Sequence, residues 1–159
     1  NPTSIMQNAA FEHAGLDWRY LDIRVPAADL EAAIAAARTL GFGGLNLTIP
    51  HKVAVIPLLD GTEPSAEISG ACNTVVRQPD GRHIGSNTDG SGFVWSIRDE
   101  GIDPAGLDVV LLGAGGAARA VATELALAGA KRVTVAGRTA AKRDALVAKS
   151  GFKTFAYHE

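Results

Sequence analysis

The sequence has little cysteine, few aromatic residues and no long apolar run. Cys72 is the only cysteine among 159 residues, which excludes an internal disulfide and favours a reducing compartment. No apolar run approaches the roughly 20 residues that a membrane span needs. The formal net charge is −2, which gives no electrostatic reason to expect nucleic-acid binding. We therefore expect a cytoplasmic protein that binds neither nucleic acid nor a membrane, and we expect no metal site.

What the sequence does contain is typical of a soluble α/β protein, with 47% hydrophobic and 20% charged residues. Its length allows one or two domains. Apolar patterns with strand spacing alternate with patterns of helical spacing along the chain, which is typical of an α/β fold. The predicted elements are helices over 3–14, 30–40, 63–68, 91–97 and 117–128, strands over 20–25, 45–49, 109–112 and 131–136, and a hairpin over 75–84.

The clearest local pattern is a glycine-rich turn between a predicted buried strand, 109–112, and the helix that follows it. Gly113 and Gly115 allow a tight turn and a close backbone approach to a pyrophosphate, and Ala118 keeps the third position small. The helix N-terminus offers free N–H groups to the phosphates. The alternative is a glycine turn without a ligand. The residues predicted to bind a dinucleotide here are Gly113, Ala114, Gly115, Gly116, Ala117 and Ala118.

The end of the next strand carries a basic residue. An NAD site usually has Asp or Glu at this position, about 20 residues after the turn, whereas Arg138 suits a 2′-phosphate. Thr139 adds a hydroxyl, and Lys142 or Arg143 adds charge from the next predicted helix. The alternative is a solvated basic loop. We therefore predict NADP as the cofactor, with Arg138, Thr139 and Lys142 at its phosphate.

A polar strand end marks a second candidate site. Asn46 and Thr48 alternate with apolar residues in the predicted strand, and Lys52 follows Pro50 at the start of a helix. Open α/β sheets bind ligands at the carboxyl ends of their strands. Lys52 is therefore a candidate acid/base group or hydroxyl donor, and the alternative is an ordinary surface lysine.

The hairpin predicted around Pro79-Asp80-Gly81 brings two further polar residues together. Asn73 precedes its first strand and Asp89 follows its second. An amide and a carboxylate placed in this way suit a polyol. Asp89 alone is equally able to cap the helix that follows it.

These motifs together resemble the shikimate dehydrogenase family. They are N-L-T-I-P-H-K at 46–52, G-A-C-N-T at 70–74, N-T-D-G at 87–90 and G-A-G-G-A-A-R-A at 113–120, in the family's order and spacing. The G-R-T at 137–139 is similar to the family's Asn-Arg-Thr. The resemblance implies an N-terminal α/β substrate domain followed by a Rossmann-like NADP-binding domain. It implies an NADP-dependent oxidoreductase that interconverts 3-dehydroshikimate and shikimate in aromatic amino-acid biosynthesis.

The resemblance also assigns roles to single residues. It implies that Lys52 and Asp89 are catalytic, and that Thr48, Asn73 and Asp89 bind substrate hydroxyls. The family holds the substrate carboxylate with a Ser-x-Ser-Pro pattern, where this chain has Asn1-Pro2-Thr3-Ser4. Thr3 still provides a hydroxyl at a helix N-terminus, either as a plain helix cap or for the carboxylate. The departure leaves quinate or a related cyclohexane acid open as the substrate, and a non-catalytic nucleotide-binding module is the remaining alternative.

The sequence also suggests a domain division and a longer polypeptide. We expect a substrate domain over residues 1–101 and the first half of a dinucleotide-binding domain over 102–159. About three strands of a typically six-stranded domain precede the last residue, so we expect this domain to be incomplete in the chain. The expected binding partner is a small-molecule substrate. We expect the protein to be a monomer or a homodimer.

Overall fold

A computed structural model of the chain describes residues 2–141, residue 144 and the backbone of residues 153–156. Helices and strands alternate along these residues, as predicted for an α/β fold. The helices are α1 (Pro2–His13), α2 (Leu30–Thr39), α3 (His51–Ala54), α4 (Pro64–Ser69), α5 (Thr88–Asp99) and α6 (Gly116–Leu127). The strands are β1 (Gly44–Asn46), β2 (Gly61–Thr62), β3 (Thr74–Arg77), β4 (His83–Ser86), β5 (Asp108–Leu112), β6 (Arg132–Gly137) and β7 (Lys153–Ala156).

The first sheet has the strand order β1-β3-β4-β2. Strands β3 and β4 form the predicted hairpin, and Gly81 adopts φ +88° in its turn, a conformation that favours glycine. The Asp80 carboxylate accepts hydrogen bonds from the backbone N–H and the guanidinium of Arg82, which close the turn. The hairpin therefore places the residue before β3 next to the residues after β4.

One face of α2 covers this sheet. Leu30, Ile34 and Ala37 are buried, as their helical spacing predicts. Leu30 and Ile34 share a core with Val55 and Val75. Leu40, expected on the same face, is instead 73% exposed, because the helix ends at Thr39.

The second sheet is parallel, with the order β5-β6-β7, and α6 connects β5 to β6. The predicted strand–turn–helix–strand unit is confirmed. The prediction that 109–112 is a fully buried strand is wrong, since Val110 and Leu112 are 65% and 81% exposed. Only the alternate residues Val109 and Leu111 pack into the core beneath α5 and α6, because β5 lies at the edge of the described sheet and its helices cover one face.

Helix α5 packs on the second unit. Val94 lies in one core with Ala122 and Leu125 of α6 and with Val135 of β6. The predicted boundary at residue 101 assigns this helix to the first domain, and that boundary stays a prediction. In either assignment, α5 follows the first sheet along the chain and packs into the core of the second.

The predicted strand over 20–25 is wrong. This segment has no strand pairing within the described chain, and side chains contact the backbone at both of its ends. Asn8 accepts from the Tyr20 N–H and donates to the Tyr20 carbonyl, and His51 Nε2 lies 2.9 Å from the Val25 carbonyl oxygen. The segment therefore lies across α1 and α3 rather than in the sheet.

Two element boundaries also differ from prediction. Strand β1 ends at Asn46, three residues early, so Thr48 and Ile49 belong to a turn that leads into α3. Helix α1 begins at Pro2, which places Thr3 and Ser4 inside its first turn rather than at its cap. Among the helices that the structure describes, none combines the length and apolar character that crossing a membrane requires.

Candidate active site

Three side chains predicted from different parts of the sequence meet at one carboxylate. Lys52 Nζ donates to Asp89 Oδ2 at 2.7 Å, and Asn73 Nδ2 donates to Asp89 Oδ1 at 2.8 Å. The side chains of Lys52 and Asp89 are 26% and 40% exposed. A charged pair that is sheltered but still reached by solvent is accessible to a small molecule.

Backbone hydrogen bonds hold together the segments that carry these side chains. The Cys72 N–H donates to the Lys52 carbonyl at 2.7 Å, and the Leu47 N–H donates to the Asn73 carbonyl at 2.8 Å. The Asn73 N–H donates to the Ser86 carbonyl at 3.0 Å. The end of β1, the start of β3 and the end of β4 therefore lie together at one end of the strands of the first sheet.

Asn87 fixes the start of α5. It is the N-cap residue, and its Oδ1 accepts from the Asp89 N–H at 3.1 Å. Its Nδ2 donates to the Ala71 carbonyl at 3.0 Å, and the residue is only 4% exposed. The cap is thus Asn87, and the sequence alternative that Asp89 itself caps the helix is wrong. The Asp89 carboxylate remains available for Lys52 and Asn73.

A chain of hydroxyl and amide groups extends the cluster, and three of its members had no assigned role. Thr74 Oγ1 donates to Asn73 Oδ1 at 3.0 Å and lies 3.3 Å from Thr88 Oγ1. Asn46 Nδ2 donates to Thr74 Oγ1 at 3.1 Å. Asn73 Oδ1 accepts from Thr74 Oγ1 and from the N–H and Oγ1 of Thr88, so its Nδ2 is turned toward Asp89. Two sequence signals mark this row of hydrogen-bonded side chains. They are the alternation of Asn46 and Thr48 and the N-T repeats at 73–74 and 87–88.

The other two predicted substrate ligands lie in the turn before α3 and in the first turn of α1. Thr48 is exposed in the turn before α3, where its carbonyl accepts from the His51 N–H at 2.8 Å. Thr3 is half-buried in the first turn of α1. Substrate binding by Thr3 and Thr48 stays a prediction, as do the roles of Lys52, Asn73 and Asp89.

The glycine-rich turn has the geometry of a phosphate cradle. Gly113 adopts φ +115°, and its N–H donates to the Ala136 carbonyl at 2.7 Å, which ties the turn to the end of β6. A Cβ at Gly113, Gly115 or Gly116 would meet nothing within 4 Å, so the space over the turn is open. Helix α6 begins at Gly116, and the unpaired N–H groups of a helix's first turn attract phosphate. These residues fit a dinucleotide.

Arg138 lies at the same end of the second sheet as the glycine-rich turn. Leu112 pairs with Ala136, so the ends of β5 and β6 are adjacent and the residues after each share one rim. Arg138 and Thr139 are both exposed there. Lys142, the third predicted phosphate ligand, lies outside the described residues. In the described part of the chain, no group of three or more His, Cys, Asp and Glu residues is arranged to hold a metal ion.

Two family models match the chain. One is described as "Shikimate dehydrogenase substrate binding domain" and matches residues 2–75; the other, "Shikimate / quinate 5-dehydrogenase", matches residues 100–159. The first contains Lys52 and Asn73, and the second contains the glycine turn and Arg138. Together the two models cover both halves of the candidate site except the segment of Asp89.

Individual relatives agree with the family models. The shikimate dehydrogenase (NADP(+)) of Geobacter metallireducens is 51% identical over 144 residues, which are 90% of this chain and 50% of that protein. A solved structure of shikimate 5-dehydrogenase from Thermus thermophilus, in complex with NADP(H) and shikimate, has a TM-score of 0.83 at 38% identity. It covers 96% of this chain and 57% of that one. The ligand-free 5-ketofructose reductase of Gluconobacter sp. strain CHM43 has a TM-score of 0.92 at 44% identity, covering 100% of this chain and 58% of that one.

The chain spans about half the length of the curated relatives it matches. Within that half, the sequence identity, the α/β fold and the two matched models all point to one assignment. The chain belongs to the shikimate dehydrogenase family.

Proposed function

We propose that the chain forms the substrate-binding unit and the first part of the dinucleotide-binding unit of an NADP-dependent shikimate dehydrogenase. The reaction is the reversible reduction of 3-dehydroshikimate to shikimate. The observation that carries the proposal is the contact of Lys52 Nζ with Asp89 Oδ2 at 2.7 Å, with Asn73 on the other carboxylate oxygen. A protein that only binds a nucleotide does not need such a pair, which argues against the non-catalytic alternative.

The pair suits proton transfer at a carbonyl or hydroxyl group. In the reducing direction, Lys52 donates one of its protons to the carbonyl oxygen as that oxygen becomes a hydroxyl, and in the oxidising direction it takes the proton back. The Asp89 carboxylate holds the ammonium group in place and accepts a hydrogen bond from the reacting hydroxyl. NADP(H), when bound, supplies or accepts the hydride.

The remaining polar residues orient the substrate. Asn73 and Thr48 provide hydrogen-bonding groups for the other ring hydroxyls, and Thr3 provides a hydroxyl for the carboxylate at the N-terminus of α1. The dinucleotide is held by the turn 113–118, and Arg138, Thr139 and Lys142 bind its 2′-phosphate.

These roles require two adjoining units, for which we propose the boundaries 1–101 and 102–159. We further propose that the enzyme is cytoplasmic and acts as a monomer or homodimer, which light scattering distinguishes.

The test is turnover by the full-length polypeptide that carries this chain. Purified enzyme is mixed with shikimate and NADP, and the absorbance of the reduced nicotinamide is followed. We expect saturable reduction of NADP that is lost on replacing Lys52 by Ala. A protein that binds NADP but turns over neither shikimate nor 3-dehydroshikimate would contradict the proposal.

A second candidate is the reduction of 5-ketofructose, the activity in the name of the Gluconobacter relative. Its structure covers the whole chain at 44% identity, compared with 38% for the Thermus shikimate 5-dehydrogenase. The departures at Asn1 and Ser4 from the family's Ser-x-Ser-Pro pattern agree with a substrate without a carboxylate. Assays with 5-ketofructose, shikimate and quinate at equal concentration separate the candidates, since the preferred substrate has the highest kcat/KM.

A further inference from the structure

Helices α5 and α6 approach each other closely at a glycine. If residue 90 carried a Cβ, that atom would overlap the Ala120 carbonyl oxygen and lie 2.8 Å from both the Ala120 carbonyl carbon and Glu124 Cβ. Ordinary van der Waals contact begins at 3.4 Å. Gly90 is buried, and the first atom it would meet is backbone, which cannot turn away as a side chain can. Any side chain at this position therefore moves one helix relative to the other.

The same helix contains a glycine without this constraint. A Cβ at Gly92 would meet nothing within 4 Å, although Gly92 lies only two residues further along α5. Gly90→Ala and Gly92→Ala therefore make the same chemical change in one helix and differ in their contact with α6.

The two helices carry opposite halves of the candidate site. Asp89 directly precedes Gly90 in the first turn of α5, and the phosphate-binding turn leads into the first turn of α6. The helices cross where Gly90 meets Ala120. This crossing is therefore adjacent to the acid/base pair on one side and one helical turn from the glycine-rich turn on the other. A shift at the crossing changes the distance between substrate and dinucleotide.

A second contact joins the same elements. The Arg119 guanidinium of α6 donates to the Ser69 carbonyl at 3.3 Å. The Ser69 hydroxyl lies 3.4 Å from Nδ2 of Asn87, which caps α5. This contact flanks the crossing on the side of α4 and opposes rotation of α6 about Gly90.

We propose that Gly90 is a positioning residue: the absence of its side chain sets the distance between the Lys52–Asp89 pair and the dinucleotide-binding turn. The proposal rests on the proposed dehydrogenase function. A misplacement of about 1 Å costs on the order of 10²-fold in rate when two reactants must be aligned. A Cβ at Gly90 forces a shift of roughly half an ångström or more, so we expect a loss of about tenfold in kcat.

The experiment compares Gly90→Ala with Gly92→Ala in the full-length polypeptide. For Gly90→Ala we expect kcat to fall about tenfold, while the dissociation constants of shikimate alone and NADP alone stay within about threefold of wild type, because each half-site is intact. Gly92→Ala is expected to keep wild-type kcat. Adding Ala120→Gly to Gly90→Ala is expected not to restore kcat, since the overlapping oxygen belongs to the backbone. Wild-type kcat in Gly90→Ala overturns the proposal. A fall in kcat no larger than the fall in the fraction of folded protein also overturns it.

A readout without turnover separates this proposal from the proposed function. NADP binding at α6 is expected to slow hydrogen exchange of the first-turn amides of α5 in wild type and in Gly92→Ala, and not in Gly90→Ala. Equal slowing in all three overturns the proposal, whereas a wild type that binds NADP but leaves shikimate unchanged contradicts only the substrate assignment. If Gly90→Ala does not fold, Arg119→Gln takes its place: kcat is expected to fall about threefold with unchanged dissociation constants, and unchanged kcat overturns the proposal.

Discussion

Lys52 Nζ and Asp89 Oδ2 lie 2.7 Å apart, although 37 residues separate the two in the sequence. Lys52 lies in α3, which follows β1, and Asp89 lies in α5, which follows β4. Asn73, directly before β3, donates to the other carboxylate oxygen. Each oxygen of the carboxylate therefore has one donor. Removing any one of the three side chains leaves at least one polar group without this partner, which is the basis of the first two predictions.

Replacing Lys52 by Ala should lower turnover far more than binding. The variant loses the proton donor, and general acid/base groups contribute about 10²- to 10⁴-fold in rate. We expect kcat to fall within that range and KM for the substrate to change less than about tenfold. Steady-state kinetics of the full-length enzyme check this. Lys131→Ala, which removes an exposed lysine before β6, is the control, and equal kcat values for the two variants would refute a catalytic role for Lys52.

Replacing Asp89 by Asn should also lower kcat, by about 10²-fold, with a smaller effect on folding. The amide removes the negative charge that holds the Lys52 ammonium, and its NH₂ group has to face either Lys52 or the Asn73 NH₂. Asp99→Asn is the matched control, because it makes the same change at an exposed position at the end of the same helix. The result expected from a purely structural Asp89 is a lowered melting temperature with unchanged kcat in the remaining folded enzyme.

The sequence predicted the parts of the fold that depend on local patterns. The glycine turn between β5 and α6, the hairpin turn at Pro79-Asp80-Gly81 and the meeting of Asn73 with Asp89 all follow from residues close in sequence. Turn residues and helical spacing act locally, and so they can be identified without knowledge of the tertiary structure.

The predictions that were wrong concern segments whose structure depends on tertiary contacts. The alternating residues 20–25 have strand propensity, but pairing requires a neighbouring strand, and Asn8 and His51 take backbone groups of the segment instead. The contact of Gly90 with Ala120 gives no local signal at all, because a glycine in a helix has the same sequence appearance whether it faces solvent or another backbone.

Stability should fall in mild acid because of His83. This imidazole is 1% exposed, and its Nδ1 has no hydrogen-bond partner within the described chain. Burial lowers the pKa of His83, the charges of Arg38 and Arg77 lower it further, and Asp60 acts in the opposite direction. The folded state therefore favours neutral His83, whereas the unfolded chain binds a proton near pH 6.5. The free energy of unfolding is expected to be independent of this group above about pH 6.5 and to fall below it, by at most about 1.4 kcal/mol per pH unit.

The measurement is urea unfolding at several values between about pH 5 and pH 7.5, across the ordinary histidine pKa. His83→Gln should have a smaller pH dependence than wild type, since the titrating group is gone. His51→Gln makes the same change at a half-buried histidine that contacts the Val25 carbonyl, and it is the comparison variant. A steeper acid loss in His83→Gln would show that the dependence arises from other groups.

Arg138 should decide between NADP and NAD. It follows β6 at the rim shared with the glycine turn, where a carboxylate would accept hydrogen bonds from an unmodified ribose and repel a 2′-phosphate. A guanidinium does the reverse and can contribute about 1.5–3 kcal/mol through charge-assisted hydrogen bonds, which corresponds to about ten- to hundredfold in affinity. We expect Arg138→Ala to raise KM for NADPH by that factor, to leave KM for NADH nearly unchanged and to spare kcat. Kinetics with both cofactors at one fixed ionic strength check this, since salt weakens the phosphate contact.

The control for Arg138 lies at the other end of the same strand. Arg132 pairs with Asp108 at 3.1 Å, and this exposed ion pair contributes about 0–1 kcal/mol to stability. Arg132→Ala removes the same charge from the start of β6, away from the rim, so its KM for NADPH should match that of wild type. If Arg138→Ala weakens NADPH and NADH equally, the guanidinium binds the pyrophosphate or supports the loop, and the preference for NADP arises elsewhere. If Arg132→Ala also raises KM for NADPH alone, the preference reflects the net charge of the strand rather than a direct contact with the 2′-phosphate.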